Sequence, residues 1–205
     1  MPQKYGIIFL KLVFRRREMS IEKMATVRSI YAGILHPKSG KLLLTRRTGS
    51  TSIIPNVSFR GNWELIGGAV MASDKKSVPY NYYLSELCRL MEAKAGIVMV
   101  IRGLPVMHSV LFKGPDGYDE ASVIPVVQDT TSTIGETQWV SPRKLRALAD
   151  EFEPADEGKG KSGKGLVSGY GKRMHCMGLC ALSHSPNYDY RVEALRTLQK
   201  ITASW

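Results

Sequence analysis

The chain has 205 residues and a formal charge of +11, from 29 Lys plus Arg against 18 Asp plus Glu, and 43% of its residues are apolar. That apolar share excludes a wholly disordered chain. The length suits one domain, or one domain with a C-terminal extension, stable without disulfides.

Three cysteines, Cys88, Cys176 and Cys180, are too few for a disulfide framework and fit a reducing compartment, so a cytoplasmic location is expected. No apolar run approaches the roughly 20 residues that a bilayer span needs, so no membrane partner is expected. The longest run, 6–14, is broken by Lys11 and followed by Arg15, Arg16 and Arg17. A secretory signal peptide has the reverse order. The alternation of residues 5–14 predicts a strand; an Arg-rich mitochondrial presequence is the other reading.

The charge is concentrated. Residues 1–60 hold 12 Lys or Arg and two acids, Glu18 and Glu22, a local excess of +10; residues 61–205 hold 17 basic and 16 acidic residues. A positive field this local attracts polyanions: a nucleotide, RNA, DNA or an acidic protein in an assembly. The alternative is a solvated basic edge that aids solubility.

In chain order, residues 1–24 read as a basic N-terminal strand or extension. Residues 26–35 (TVRSIYAGIL) and 41–45 (KLLLT) read as strands of a hairpin, turned by the Pro, Ser and Gly within 36–40. The polar stretch 46–62 reads as a loop, and 63–66 as a short strand running into Gly67 and Gly68. Leu84, Leu87, Cys88 and Met91, widened by Leu90, fall at helical spacing and predict a helix over 79–95, with Pro79 in its first turn and Gly96 past its end. Strands are expected at 97–102, 106–113 and 121–128, with GPDG at 114–117 turning between the last two. After the apolar pair Trp139 and Val140, Ser141 as N-cap and Pro142 as first residue open a helix running to about residue 152. Residues 157–172, rich in Gly, Lys and Ser, read as a flexible loop. Helices over 173–182 and 188–203 follow, broken at Ser185, Pro186 and Asn187, and are expected to pack on a domain spanning 25–156.

Four pieces carry a resemblance: LLLTRR at 42–47, WELIGGAV at 63–70, AGI at 95–97 and GETQWVSPRKL at 135–145. In this order and spacing, residues 25–150 resemble the Nudix hydrolase family. The resemblance implies a mixed α/β fold, an α/β/α sandwich around a mixed central sheet, here with a C-terminal helical extension. It also implies a loop–helix–loop box that binds Mg²⁺, and hydrolysis of a nucleoside diphosphate linked to another group. Such chemistry needs carboxylates that collect divalent cations beside a pyrophosphate.

The family box reads Gly, five residues, Glu, seven residues, Arg-Glu-apolar-any-Glu-Glu-any-Gly-apolar. Here it is degenerate, and two registers fit. Counted without gaps from Gly68, Asp74 takes the first Glu position, Tyr82 the Arg, Tyr83 the following Glu, Leu84 the apolar position, and Glu86 one of the paired glutamates. Counted back from Gly96 and Ile97, Arg89 takes the Arg, Met91 the apolar position, and Leu90, Ala93 and Lys94 the three helix glutamates, with about seven extra residues before the helix. The late helix start at Pro79 and the stop at Gly96 favour the second. Either way most of the carboxylate cluster is missing, and Lys94 would repel a cation.

The sequence therefore predicts a Nudix-like protein without hydrolysis and without a cofactor, binding a phosphate-bearing ligand through its basic N-terminal half. The alternative is a divergent Mg²⁺-dependent pyrophosphohydrolase with Glu86 and Glu136 as metal or base residues; Glu64, Glu92, Asp119 and Glu120 are further acids near the motif. The resemblance puts Arg46, Arg47, Arg60, Gly67, Gly68 and Arg89 near ligand phosphate, and guanidinium groups suit phosphate because they present paired donors. Tyr80, Tyr82 and Tyr83 are candidates for base stacking. GKGKSGKG at 158–165 misses the P-loop pattern at its last position and lacks a preceding apolar strand. Cys176, Cys180 and His184 recur every four residues and read either as small core residues of a helix or as zinc ligands.

Overall fold

The strand predicted from TVRSIYAGIL lies at the centre of the sheet. In the computed structural model the described residues are 25–49, 58–70, 80–99, 105–114, 117–130, 134–167 and 173–203. Strand β1 (Ala25–Leu35) sends Tyr31 and Leu35 into one apolar cluster and Ile30, Ala32 and Ile34 into another. Alternate residues of a strand face opposite sides, so a strand apolar on both faces belongs between two layers.

Six further strands complete the sheet: β2 (Leu42–Arg46), β3 (Trp63–Glu64), β4 (Ile66–Ala69), β5 (His108–Gly114), β6 (Gly117–Val127) and β7 (Thr137–Val140). The main order is β3-β2-β1-β6-β5, with β4 on β1 and β7 on β2. β1 runs parallel to β6 along its length, and the other pairings are antiparallel. Helix α1 (Tyr80–Ala95) covers the Ile30 face. Helices α2 (Pro142–Asp150) and α3 (Arg173–Leu182) cover the Tyr31 face, and α4 (Tyr188–Ala203) packs outside α3. This is the mixed α/β/α sandwich expected from the sequence.

Local signals explain the helix ends. The Ser141 side chain accepts from the Lys144 amide at 3.3 Å, and Pro142 spends no donor in the first turn. α1 stops at Gly96, whose φ of 62° lies in the left-handed region. The Gly96 amide donates to the Glu92 carbonyl at 2.9 Å, the 5→1 bond of an αL stop, and the Ile97 amide to the Met91 carbonyl at 3.3 Å.

Three differences from the sequence reading have physical reasons. Residues 97–99 are not a strand: Ile97 and Met99 are buried and Val98 is exposed, so the alternation is present, but no ladder pairs them. The rest of the strand expected at 97–102 lies outside the described residues. β6 starts at Gly117, four residues early, because pairing with β1 and β5 extends through Tyr118, Asp119 and Glu120.

The third difference is 157–167. Composition predicts a flexible loop there, but tertiary pairing overrides it. A short 3-10 helix (Glu157–Lys159) and bridges Glu153↔Lys164 and Asp156↔Lys161 shape the segment. The buried Asn62 amide group donates to the Glu153 carbonyl at 3.0 Å and to the Lys164 carbonyl, and Leu166 lies in the core. Nothing there has the strand-to-helix geometry of a P-loop. Residues 168–172 of that reading lie outside the described residues.

Every residue of α3 is buried, so this helix is the second layer of the sandwich rather than an appendage. It lies close because small residues face it: a Cβ on Gly33 of β1 would stand 2.3 Å from Ala181 Cβ. Gly33→Ala is therefore expected to destabilise the protein by about 1–3 kcal/mol through overpacking. Urea unfolding of the two proteins checks this; an unchanged midpoint would refute the close approach.

Candidate functional site

The end of α1 can be set beside the two box registers read from the sequence. The ungapped register places the closing glycine of the pattern at residue 89, but the helix continues through Ala95. The register counted back from Gly96 has its glycine at the observed helix stop. In that register Leu90, Ala93 and Lys94 hold the glutamate positions. Leu90 is buried in the α1 cluster, and Ala93 is exposed.

Lys94 Nζ donates to the carbonyl of Gly67. Gly67 sits on β4 against β1, where a Cβ would stand 2.1 Å from the Ile30 carbonyl oxygen, so no other residue fits without moving the strand. A Cβ on Gly68 would stand 3.3 Å from Lys94 Nζ. The two glycines thus bring a backbone carbonyl and an ammonium group together at the place where the resemblance puts a metal.

Four of the candidate carboxylates each have an arginine against them. Glu86 accepts from Arg89 at 2.5 and 2.9 Å on the surface of α1. These bonds hold the Glu86 carboxyl below the usual carboxylate range, against a smaller opposing effect of burial. Glu136, before β7, accepts from Arg46 at 2.8 Å. Glu64 on β3 accepts from Arg47 at 2.9 Å, and Glu120 on β6 lies 3.4 Å from Arg28 of the neighbouring β1. Glu86 and Glu136 therefore stand on separate arginines, and no contact joins them among the described residues. Glu92 is exposed at the position where the pattern allows any residue.

This donor set does not fit Mg²⁺. The glutamate positions carry an apolar residue, an alanine and an ammonium group. A divalent ion roughly 4 Å from that ammonium would be repelled by about 2 kcal/mol at a dielectric of about 80, or about 8 at about 20. Among the described residues no three His, Cys, Asp or Glu side chains are grouped to hold a metal ion.

The other expected ligand residues divide. Arg46 Nε also donates to the Gly61 carbonyl at 3.0 Å, so it ties β2 to the chain before β3. Arg47 additionally stands 6.0 Å from the Phe59 ring centre. Arg60 is exposed, with its carbonyl accepting from the Gly163 amide at 2.7 Å. Tyr83 is not a stacking platform: it is 5% exposed, one turn before Leu87 on the face that α1 turns to the sheet. Burial first, then the Glu120 charge, pushes its hydroxyl pKa up. Tyr82, next to it, is 41% exposed. The Tyr80 side chain and Asp74 lie outside the described residues.

Two positions are not among the sequence candidates: Arg28 reads only as part of a strand, and Arg173 as the start of a helix. Arg173 is buried, and its charge, with those of Glu64 and Arg47, acts on the buried Tyr31 hydroxyl, whose pKa burial raises. The signal was present: an arginine inside an apolar strand needs a partner. As to the zinc reading, Cys176 and Cys180 lie in the apolar core. Burial, and then the Cys176 charge, pushes the Cys180 thiol up to about 12, which disfavours a thiolate ligand. His184 turns instead to His108.

No family model matches the chain, and no curated protein matches it. Solved structures do. A MutT protein from Methanosarcina mazei Go1 is 24% identical, with 62% of this chain and 85% of that one covered and a TM-score of 0.42. RenU, a Nudix hydrolase from M. smegmatis, is 15% identical, with 88% of each chain covered and a TM-score of 0.45. The NUDIX domain of Shewanella oneidensis NrtR, solved with ADP ribose, is 15% identical, with 56% of this chain and 72% of that one covered and a TM-score of 0.39. These are likenesses of fold, and the ligand and activities named belong to those proteins. Among the described residues no helix is long and apolar enough to cross a membrane.

The arginine pairs differ in burial, which sets what each is worth. Arg46 and Glu136 are 42% and 58% exposed, whereas Arg47 and Glu64 are 23% and 8% exposed. Arg46→Met should change stability by less than about 1 kcal/mol. Arg47→Met, which strands a buried carboxylate, should cost about 3 kcal/mol. Denaturant unfolding of both variants checks the order; equal effects would contradict it.

Proposed function

Taking the Nudix-type fold as premise, we propose that this chain binds a phosphate-bearing ligand, a nucleotide or a nucleic acid, and does not hydrolyse it. The observation that carries this reading is the Lys94 ammonium on the Gly67 carbonyl. An ammonium group carries three donors, and one donor on Gly67 leaves two for phosphate oxygens. It supplies positive charge without a metal ion. It does not activate water, because it offers no metal-bound water to deprotonate.

Four of the candidate acids support the same reading, since each of Glu64, Glu86, Glu120 and Glu136 has an arginine against it. The surface pairs also give the ligand a way in. Arg46 and Arg89 are 42% and 62% exposed, and such ion pairs are weak. A phosphate group, with more charge and more acceptors than a carboxylate, can take over their guanidinium donors. Arg60 and Tyr82, both exposed, complete the set with a further charge and an aromatic face. The basic residues of 1–24 add a field that favours a polyanion.

The test is phosphate release from nucleoside diphosphate derivatives and 5′-triphosphorylated RNA, with Mg²⁺ and with Mn²⁺, beside binding of labelled RNA over a salt series. The expected result is no turnover, and binding that weakens as salt rises and is reduced by Lys94→Glu. Turnover that Glu86→Gln or Glu136→Gln abolishes would establish the pyrophosphohydrolase reading instead. Absence of both turnover and salt-sensitive binding would leave neither.

A further inference from the structure

We propose that His108 and His184 form a two-imidazole site for a divalent transition-metal ion such as Zn²⁺, Ni²⁺ or Cu²⁺. The residues are 76 positions apart in sequence, and their Nε2 atoms lie 2.6 Å from each other. The ring centres are 4.8 Å apart and the planes inclined by 52°. The rings therefore meet nitrogen to nitrogen rather than face to face. Two imidazole nitrogens directed at one point are the start of a chelate, and imidazole selects zinc, nickel and copper over magnesium or calcium.

Both ligands stand on fixed backbone. His108 opens β5 and pairs with Val123 of β6. His184 lies in the turn after α3, where its amide donates to the Ala181 carbonyl at 3.0 Å. The serines on either side hold that turn: Ser183 donates to the Cys180 carbonyl at 2.7 Å and Ser185 to the Gly40 carbonyl at 2.7 Å. A site on rigid elements keeps its geometry.

The spacing of the two rings suits a metal. Bonds of about 2.0–2.1 Å in tetrahedral geometry need the two nitrogens roughly 3.3 Å apart, an opening of under about 1 Å that side-chain rotation supplies. His184 is exposed, so water completes the coordination. The other two histidines face elsewhere: His36 Nδ1 accepts the Lys38 and Ser39 amides, and His175 is buried within α3. A bound ion joins β5 to the turn between α3 and α4, and so fastens the C-terminal helices to the edge of the sheet.

Calorimetric titration of the full chain with NiCl₂ and ZnCl₂ at neutral pH, with thermal unfolding and Cu²⁺ electron paramagnetic resonance, tests the site. The expected result is one ion per chain, a raised unfolding temperature that a chelator reverses, and copper spectra with two nitrogen ligands. Both His184→Gln and His108→Gln should abolish the uptake. His184 is exposed, so its variant keeps the core intact and gives a clear answer. No uptake by the wild-type chain, or uptake unchanged in His184→Gln, would overturn the proposal.

Discussion

Gly67 has no room for a side chain, and much of the candidate site depends on that. β4 lies so close to β1 that a Cβ at Gly67 would meet the Ile30 carbonyl oxygen at 2.1 Å. The close pairing fixes the Gly67 carbonyl beside the C-terminal turn of α1, where Lys94 reaches it. α1 is in turn held by Leu87, Leu90 and Met91 in the core and by its stop at Gly96. Strand, glycine, helix and lysine form one unit. A glutamate in place of Lys94 would put a carboxylate beside a carbonyl oxygen, with no cation between them, unless a metal arrived.

The same logic governs the charges. A site built for a divalent metal gathers several carboxylate oxygens at one point. Here Arg28, Arg46, Arg47 and Arg89 each take one carboxylate. Three of these arginines belong to the first 60 residues, so part of the basic excess of that region is spent on acids later in the chain. The excess that remains on the described part includes Arg60, Lys38 and Lys41, and the rest lies in residues 1–24. Electrostatic attraction to a polyanion therefore rests on fewer charges than the net figure suggests.

Much of the fold was legible because its signals are local. The alternation of 26–35, the spacing of Leu84, Leu87 and Met91, the cap at Ser141 and the stop at Gly96 each act within a few residues. The helix stop at Gly96 also agrees with the register that the helix signals favour. The readings that differed depend on distant partners. The Gly/Lys-rich segment is ordered because Asn62, nearly 100 residues earlier, binds its backbone. Tyr83 and Tyr82 look alike in sequence, and only the helix face separates a core ring from an exposed one. The pairing of acids with arginines across β1, β2, β3 and β6 is a property of sheet order, which no local pattern contains. The approach of His108 to His184 has the same origin.

The central claim is that a fixed ammonium charge, rather than a bound metal, meets the phosphate. The most direct measurement is calorimetric titration with a nucleoside diphosphate in Mg²⁺ and then in excess chelator, for the natural chain and for Lys94→Met. The account predicts equal affinity in the two conditions and a clear loss in the variant. Binding that appears only with Mg²⁺, or that Lys94→Met leaves unchanged, would contradict it.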